Sequence, residues 1–413
     1  MPVVYALIIG PGLSLMLDGD GKLLNVLLSR LYNGMDSFPL MALPFFIFAG
    51  QVMNVGGVTS RIVDFSQSMI GHRRGGLAQV NIFSSMLFAG LSGSAVADAS
   101  ALGKIFIPAM GKGGYSRSFA AAVTAASSVI GPIIPPSGIM IMYAFVMNVS
   151  VAGLFAAGIV PGLLIGMALM ATTSVLAKKH NFPIANERAS WRVRVSALRK
   201  AFPALLAPVI LLGGILSGVF TPTEAAAVAA FYAIIVAVYF TRLLKLRDLS
   251  SIFVASALQS GVILLLVGAS VAFGWIITVS DLAGTVSSGM FGLTDNPYVL
   301  LLLLNIFLLV VGMFLDAGPA ILVLGPVLAP GFLAMGIHPL HFAIVMCVNV
   351  TVGLATPPLG LVLFVSAEVA GERVEKIALK MLPFLGVEIL VIFLITYFPV
   401  LSMTLPRLLG YAD

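Results

Sequence analysis

Apolar stretches at roughly 2–17, 39–55, 77–110, 117–147, 151–176, 202–220, 224–241, 250–278, 298–332, 339–369 and 383–405 make up most of the chain. A bilayer core of about 30 Å needs only about 20 apolar residues for a helical crossing, and hydrocarbon admits only structures that satisfy their own backbone groups. The expected class is therefore an all-α polytopic membrane protein. Charged residues occupy 9% of positions, against about a quarter in soluble domains, so no separate soluble domain is expected. The first charge is Asp18, with no basic segment before the opening apolar run, so a cleavable signal peptide is not expected. Cys347 is the sole cysteine and has no partner for an internal disulfide.

Two stretches do not read as simple crossings. Segment 77–110 divides at GLSGS (Gly90 to Ser94), and 298–332 divides at FLDAGP (Phe314 to Pro319). The arms of the first hold about 16 residues each, or about 24 Å of helix, which suits re-entrant hairpins better than two crossings. Two others, 117–147 and 339–369, can cross but are interrupted by GPIIPPSG (Gly131 to Gly138) and GLATPPLG (Gly353 to Gly360). Adjacent prolines remove two backbone donors and disfavour helix at the residue before them, so each interruption is expected to unwind.

One offset relates all four features. Adding 222 carries Gly90 to Gly312, Pro108 to Pro330, Gly131 to Gly353, Pro135 to Pro357, Pro136 to Pro358 and Gly138 to Gly360. An internal duplication follows. Repeat one spans 1–176, a basic loop and linking span occupy 177–223, and repeat two spans 224–413. Hairpins that return to their own side give each repeat four crossings. With the linking span 202–220 as a fifth, the second repeat is inverted.

Charge placement supports that count. Loops 56–76, 111–117, 177–201, 242–249 and 370–382 all fall on one side and hold eighteen of the 22 lysines and arginines. The positive-inside rule makes that side cytoplasmic. Residues 58–72 set Ile62, Phe65, Met69 and Ile70 near one another on a helical wheel, as an interfacial amphipathic helix would. The 177–201 loop, with seven basic residues and Trp191, reads as a topogenic loop, with a surface role similar to that of 58–72 as the alternative.

Inverted repeats with interrupted helices mark many secondary transporters, whose sites lie near the midplane. A broken helix frees carbonyls for a cation and N–H groups for an anion. Repeat one offers Ser92, Gly93 and Ser94 at its hairpin tip, Asp98 one turn on, and Ser127, Ser128, Gly131, Ile133 and Ser137 around its break. Repeat two offers Asp316, Ala317 and Gly318, facing Asn349, Thr351, Gly353 and Thr356. Two symmetry-related sodium sites are expected: Ser92, Gly93, Ser94, Gly131, Ile133 and Ser137 in one, and Asp316, Gly318, Asn349, Thr351, Gly353 and Thr356 in the other. Substrate is expected at Ser94, Asp98, Pro135, Pro136, Ser137, Thr356, Pro357 and Pro358. The competing reading has each Ser or Thr bonding back to its own helix. Carboxylates in a membrane are costly and functional by default, so Asp98 and Asp316 either ligate a cation or order a hairpin tip. Glu388 is expected near the cytoplasmic interface, and Glu224, after TPT, as a helix cap.

Other classes find no support. There is no HExxH, His338 and His341 lack a third ligand, and no GxxxxGK[ST] loop is present. No enzyme, transition metal, cofactor or nucleic-acid partner is expected.

The motifs GLSGSAVADASALGKIFIPAMGKGGYSRSFAAAVTAASSVIGPIIPPSG (Gly90 to Gly138), DSFPLMALPFFIFAG (Asp36 to Gly50) and GIHPLHFAIVMCVNVTVGLATPPLG (Gly336 to Gly360) closely resemble the large membrane subunit of tripartite ATP-independent periplasmic (TRAP) transporters. The resemblance covers essentially the whole chain. It implies a multi-pass permease of the bacterial inner membrane, working beside a separate small four-helix membrane subunit and supplied by a periplasmic substrate-binding protein. It implies sodium-coupled import of an organic anion, such as a C4-dicarboxylate or sugar acid, with proton coupling as the alternative. The family's ion sites would map onto the hairpin tips and helix breaks named above. Its likeness to elevator transporters implies that hairpins and broken helices move as one body. Family members usually carry about another half-span before a start such as MPVVYALIIG, so a shortened first helix is expected.

Overall fold

The computed structural model describes residues 3–17, 19–182, 188–294 and 296–412. Asp18, the first two residues and 183–187 of the basic loop lie outside the described residues. Helices account for nearly all of the rest, and among the described residues eight are long and apolar enough to cross a membrane. Phe231, Phe253 and Leu258 stand outward from them, each more than 60% exposed, as lipid-facing side chains do.

The first group of helices is α1 (Val3–Leu17), α2 (Leu24–Met35), α3 (Ala42–Val55) and α4 (Val58–Ile70). Helix α4 lies where an amphipathic helix is expected, and it packs against the first hairpin and the linking helix. Its buried face is Val58, Thr59, Ile62, Ser66 and Ser68, whereas Met69 stays exposed. Of the four apolar residues that the wheel groups, Ile62 is buried against the protein, Phe65 and Ile70 are half-buried and Met69 is exposed.

The first hairpin is α5 (Gly76–Ser92) and α6 (Ala95–Lys112). The turn falls where GLSGS predicts. Gly93 ends α5 in the left-handed region at φ 62°, and the Ser94 side chain caps α6 by accepting from the Ala97 N–H. The first broken helix is α7 (Arg117–Ser128) and α8 (Gly138–Val146), joined by a non-helical segment that Ser137 caps.

Helices α9 (Val151–Lys179) and α10 (Trp191–Leu216) follow. Here the structure corrects the expected loop: α10 begins at Trp191, so Arg192, Arg194, Arg199 and Lys200 ride on the linking helix itself, which stops at Leu216. Ser190 caps its start by accepting from Val193. Helix α11 (Pro222–Ile235) opens with the expected cap, since the Glu224 carboxylate accepts from Thr221 N–H at 2.8 Å and the Thr221 hydroxyl accepts from Glu224 N–H.

Helices α12 (Leu249–Val279) and α13 (Leu282–Leu293) precede the second hairpin, α14 (Pro297–Phe314) and α15 (Ala317–Ala334). The second broken helix is α16 (Pro339–Gly353) and α17 (Leu361–Ala370). Both breaks contain a cis Pro–Pro peptide, at 135–136 and 357–358. The last apolar stretch does not run 383–405: α18 (Val374–Tyr397) starts nine residues earlier, and α19 (Val400–Leu408) is separate. Pro399 disfavours helix at Phe398, whose φ and ψ are −119° and 81°. Glu388 is fully buried in α18, fourteen residues beyond that helix's first residue.

Packing joins the two interrupted helices to the opposite hairpins. Helix α8 packs on α15, and α17 packs on α6 and α7. Small residues allow the closest crossings: a methyl group on Gly353 would lie 2.6 Å from the Gly312 Cα, so α16 and α14 touch backbone to backbone. A second set of contacts ties α3 to α11 and α12, and α1 and α2 to α12.

Candidate functional site

Both hairpin tips line one cavity of about 1150 Å³. The first tip supplies Ser92, Gly93 and Ser94, and the second supplies Asp316, Ala317 and Gly318. Pro132, Pro136 and Gly138 of the first break complete this side, with Leu354 and Leu361 from the ends of the second. Opposite them, α3 and α12 present Leu43, Phe46, Ile47, Ile263 and Leu266, together with one amide, Gln259. Glu368, Glu372 and Arg373, around the turn between α17 and α18, also line the cavity.

Local geometry explains how the tips meet the breaks. A Cβ on Gly93 would stand 2.9 Å from the Pro136 carbonyl oxygen. Only glycine combines that approach with a positive φ. At the second tip, the Asp316 carboxylate accepts from the Ala317 N–H at 2.8 Å, and Gly318 faces Met142 of α8.

Beneath the first tip lies a buried oxygen cluster. Asp98 is fully buried in α6. The Ser92 hydroxyl donates to its Oδ1, and Oδ2 has no hydrogen-bond partner. That oxygen lies against Gly131, where a methyl group would overlap it. Ser137 donates to the Pro132 carbonyl at 2.5 Å while capping α8. A carboxylate, hydroxyls and unwound carbonyls are hard oxygen donors, chemistry suited to a small cation.

The second repeat's candidates are placed differently. Asn349 donates to Asn305 Oδ1 at 2.8 Å, and Thr396 donates to the same oxygen at 3.2 Å. Asn349 Oδ1 and Asn305 Nδ2 have no partner. Thr351 donates to the Cys347 carbonyl at 2.6 Å and Thr356 to that of Val352 at 2.9 Å. Those two hydroxyls are thus engaged within their own helix, as the competing reading has it. His341 bonds Ser402 Oγ and lies 3.2 Å from the Thr396 carbonyl.

Of the expected residues, Ser92, Gly93, Ser94, Pro136, Asp316 and Gly318 share the cavity wall. Asp98, Gly131, Ile133, Pro135 and Ser137 do not line it; Asp98, Ile133 and Ser137 are fully buried, and the Asp98, Gly131 and Ser137 cluster sits behind the first tip. Asn349, Thr351, Gly353, Thr356, Pro357 and Pro358 are also off the wall. Residue-by-residue reading missed Gln259 and Arg373 on it. It also missed Asn81, which donates to Thr124 at 2.8 Å and ties α5 to α7 much as Asn305 ties α14 to α16. A signal existed for Gln259 and Asn81: an amide inside an apolar helix is expensive enough to need a reason.

Residues 1–401 match the family described as "Tripartite ATP-independent periplasmic transporter, DctM component". The chain belongs to this family. It is 39% identical over 414 residues to the sialic acid TRAP transporter large permease protein SiaM of Vibrio cholerae, covering 100% of this chain and 96% of that one. It is 38% identical to the C4-dicarboxylate TRAP transporter large permease protein DctM of Pseudomonas aeruginosa, covering 92% and 89% respectively. Among solved structures, the YdaH transporter of Alcanivorax borkumensis superposes with a TM-score of 0.70, covering 96% of this chain and 91% of that one at 16% identity, a likeness of fold alone. A TRAP large permease is a transporter and not an enzyme, and it is a multi-pass inner-membrane protein. It works with a small membrane subunit and a periplasmic binding protein.

Proposed function

We propose that this TRAP permease imports an organic anion, most simply a carboxylate, coupled to sodium entry and delivered by its periplasmic binding protein. The observation that carries the reading is the meeting of both hairpin tips and the first helix break on one cavity, with the Asp98, Ser92 and Gly131 cluster directly behind. The named relatives carry sialic acid and C4-dicarboxylates, both carboxylates. Sodium would bind among the oxygens behind each tip. The anion would lie on the cavity side, against the Ser94 hydroxyl and the Gly93 to Ala97 backbone.

Because α17 packs on the first hairpin and α8 on the second, the hairpins and broken helices would move as one body past α3, α10, α11 and α12. Coupling then requires that this body move only when anion and cation are both bound or both absent. Vesicles holding the permease with its small subunit and binding protein are expected to take up anion when sodium is high outside. Uptake driven instead by a pH gradient in sodium-free buffer would select the second reading, in which Asp98 or Asp316 carries a proton.

A further inference from the structure

Within the cavity wall, α3 and α12 contribute almost only carbon, and the exception is Gln259. It is the one amide in the 31 residues of α12. Its orientation is set by a chain of hydrogen bonds that runs in one direction. Ser256 Oγ donates to Gln51 Oε1 at 2.9 Å, and Gln51 Nε2 donates to Gln259 Oε1 at 3.0 Å. Ser256 is buried and Gln51 half-buried, while Gln259 is exposed to the cavity.

Each amide has one acceptor end and one donor end. In the structure the serine hydroxyl donates to the oxygen of Gln51, and the NH₂ of Gln51 donates to the oxygen of Gln259. What remains for the cavity is the Gln259 NH₂. We infer that Gln259 is a binding residue for the anionic substrate, presenting a pre-oriented pair of N–H donors across from the hairpin tips, with Gln51 and Ser256 as positioning residues.

The inference rests on the organic-anion reading and adds a contact on the opposite wall from the tips. Hydrogen bonds from neutral donors to a carboxylate are among the stronger ones in a site shielded from water. An anion held by the tips on one side and by Gln259 on the other would span the two groups of helices in this arrangement. At its own place on the wall Gln259 would thereby favour an acceptor group of the ligand over a donor group.

The discriminating variant is Gln51→Glu, which keeps the side-chain size but can only accept. Gln259 would then turn its NH₂ toward position 51 and show its carbonyl to the cavity. Uptake is measured in vesicles containing the permease, small subunit and binding protein, with radiolabelled succinate, N-acetylneuraminate, gluconate and pyruvate as probes. For whichever probe the wild type transports, Gln259→Leu and Gln51→Glu are expected to raise KM about tenfold, with Vmax within about threefold. Gln259→Asn together with native Gln51 is expected to recover part of the loss. A merely structural role would instead lower Vmax and melting temperature together. If wild type transports a probe and both variants keep its KM within twofold, the inference is overturned while the organic-anion reading stands. Wild-type vesicles that take up none of the four overturn the organic-anion reading, and this inference with it.

Discussion

Asp98 is the residue at which the proposed ion coupling is most directly tested. A carboxylate with no water around it normally recruits donors to both oxygens, yet here only Oδ1 has one, from Ser92. Oδ2 is left against the Gly131 backbone in a segment whose helix has already unwound. Leaving such an acceptor buried and unpartnered costs the empty protein, and a bound cation would relieve that cost. Asp98→Asn keeps the shape and the Ser92 contact but removes the charge. It is expected to lower sodium-driven uptake more than tenfold and to raise the sodium concentration for half-maximal uptake, with the melting temperature in detergent unchanged or higher. Unaltered sodium dependence would remove Asp98 from the coupling mechanism. The sequence placed Asp98 one turn from the tip correctly, because helix periodicity fixes that distance. It could not show that Asp98 faces away from the cavity, since the direction of a side chain on an all-apolar helix is decided by its neighbours.

At the scale of elements, the breaks and hairpins were legible because proline and glycine act locally: two missing donors and a left-handed residue leave the chain no alternative. The turn at Gly93 and the gap between Ser128 and Gly138 follow directly from that chemistry. Helix ends governed by packing were less legible. Trp191 to Lys200 reads as a charged loop by composition, but four basic residues over ten positions of exposed helix cost little when a long apolar helix continues from them, so α10 starts early. The first break has a further duty, which is to carry Pro136 against Gly93. Replacing Pro135 and Pro136 together by alanine returns two N–H donors and removes the barrier to continuous helix. The double variant is expected to fold, to gain helix by circular dichroism, and to lose transport at least tenfold, because a straightened segment withdraws the wall on which the first tip rests. Transport at wild-type rates in the double variant would show that the unwound segment is not needed for the site.

For the whole molecule, the question is which side of the membrane the cavity serves. Its wall runs from the hairpin tips to Glu368, Glu372 and Arg373, at the head of the segment 370–382 that carries Lys376 and Lys380. The basic residues of the chain gather on that same side, so the positive-inside rule predicts that the cavity opens to the cytoplasm. Cysteine chemistry can test this without first removing the native thiol, because Cys347 is fully buried in α16 and a folded protein should leave it unmodified. Ser100 lies on the cavity wall, one helical turn and more beyond the first tip. A Ser100→Cys variant is expected to react with a membrane-impermeant maleimide in inside-out vesicles and to stay unreacted in right-side-out ones, while the parent protein reacts in neither. Under the proposed coupling, sodium added together with a transported anion would move some molecules to the opposite arrangement, so labelling in inside-out vesicles should slow. Reaction from the periplasmic face alone would reverse the assignment of sides. Equal reaction from both faces would mean that the hairpin tips do not close the cavity against either compartment, which a coupled transporter cannot tolerate.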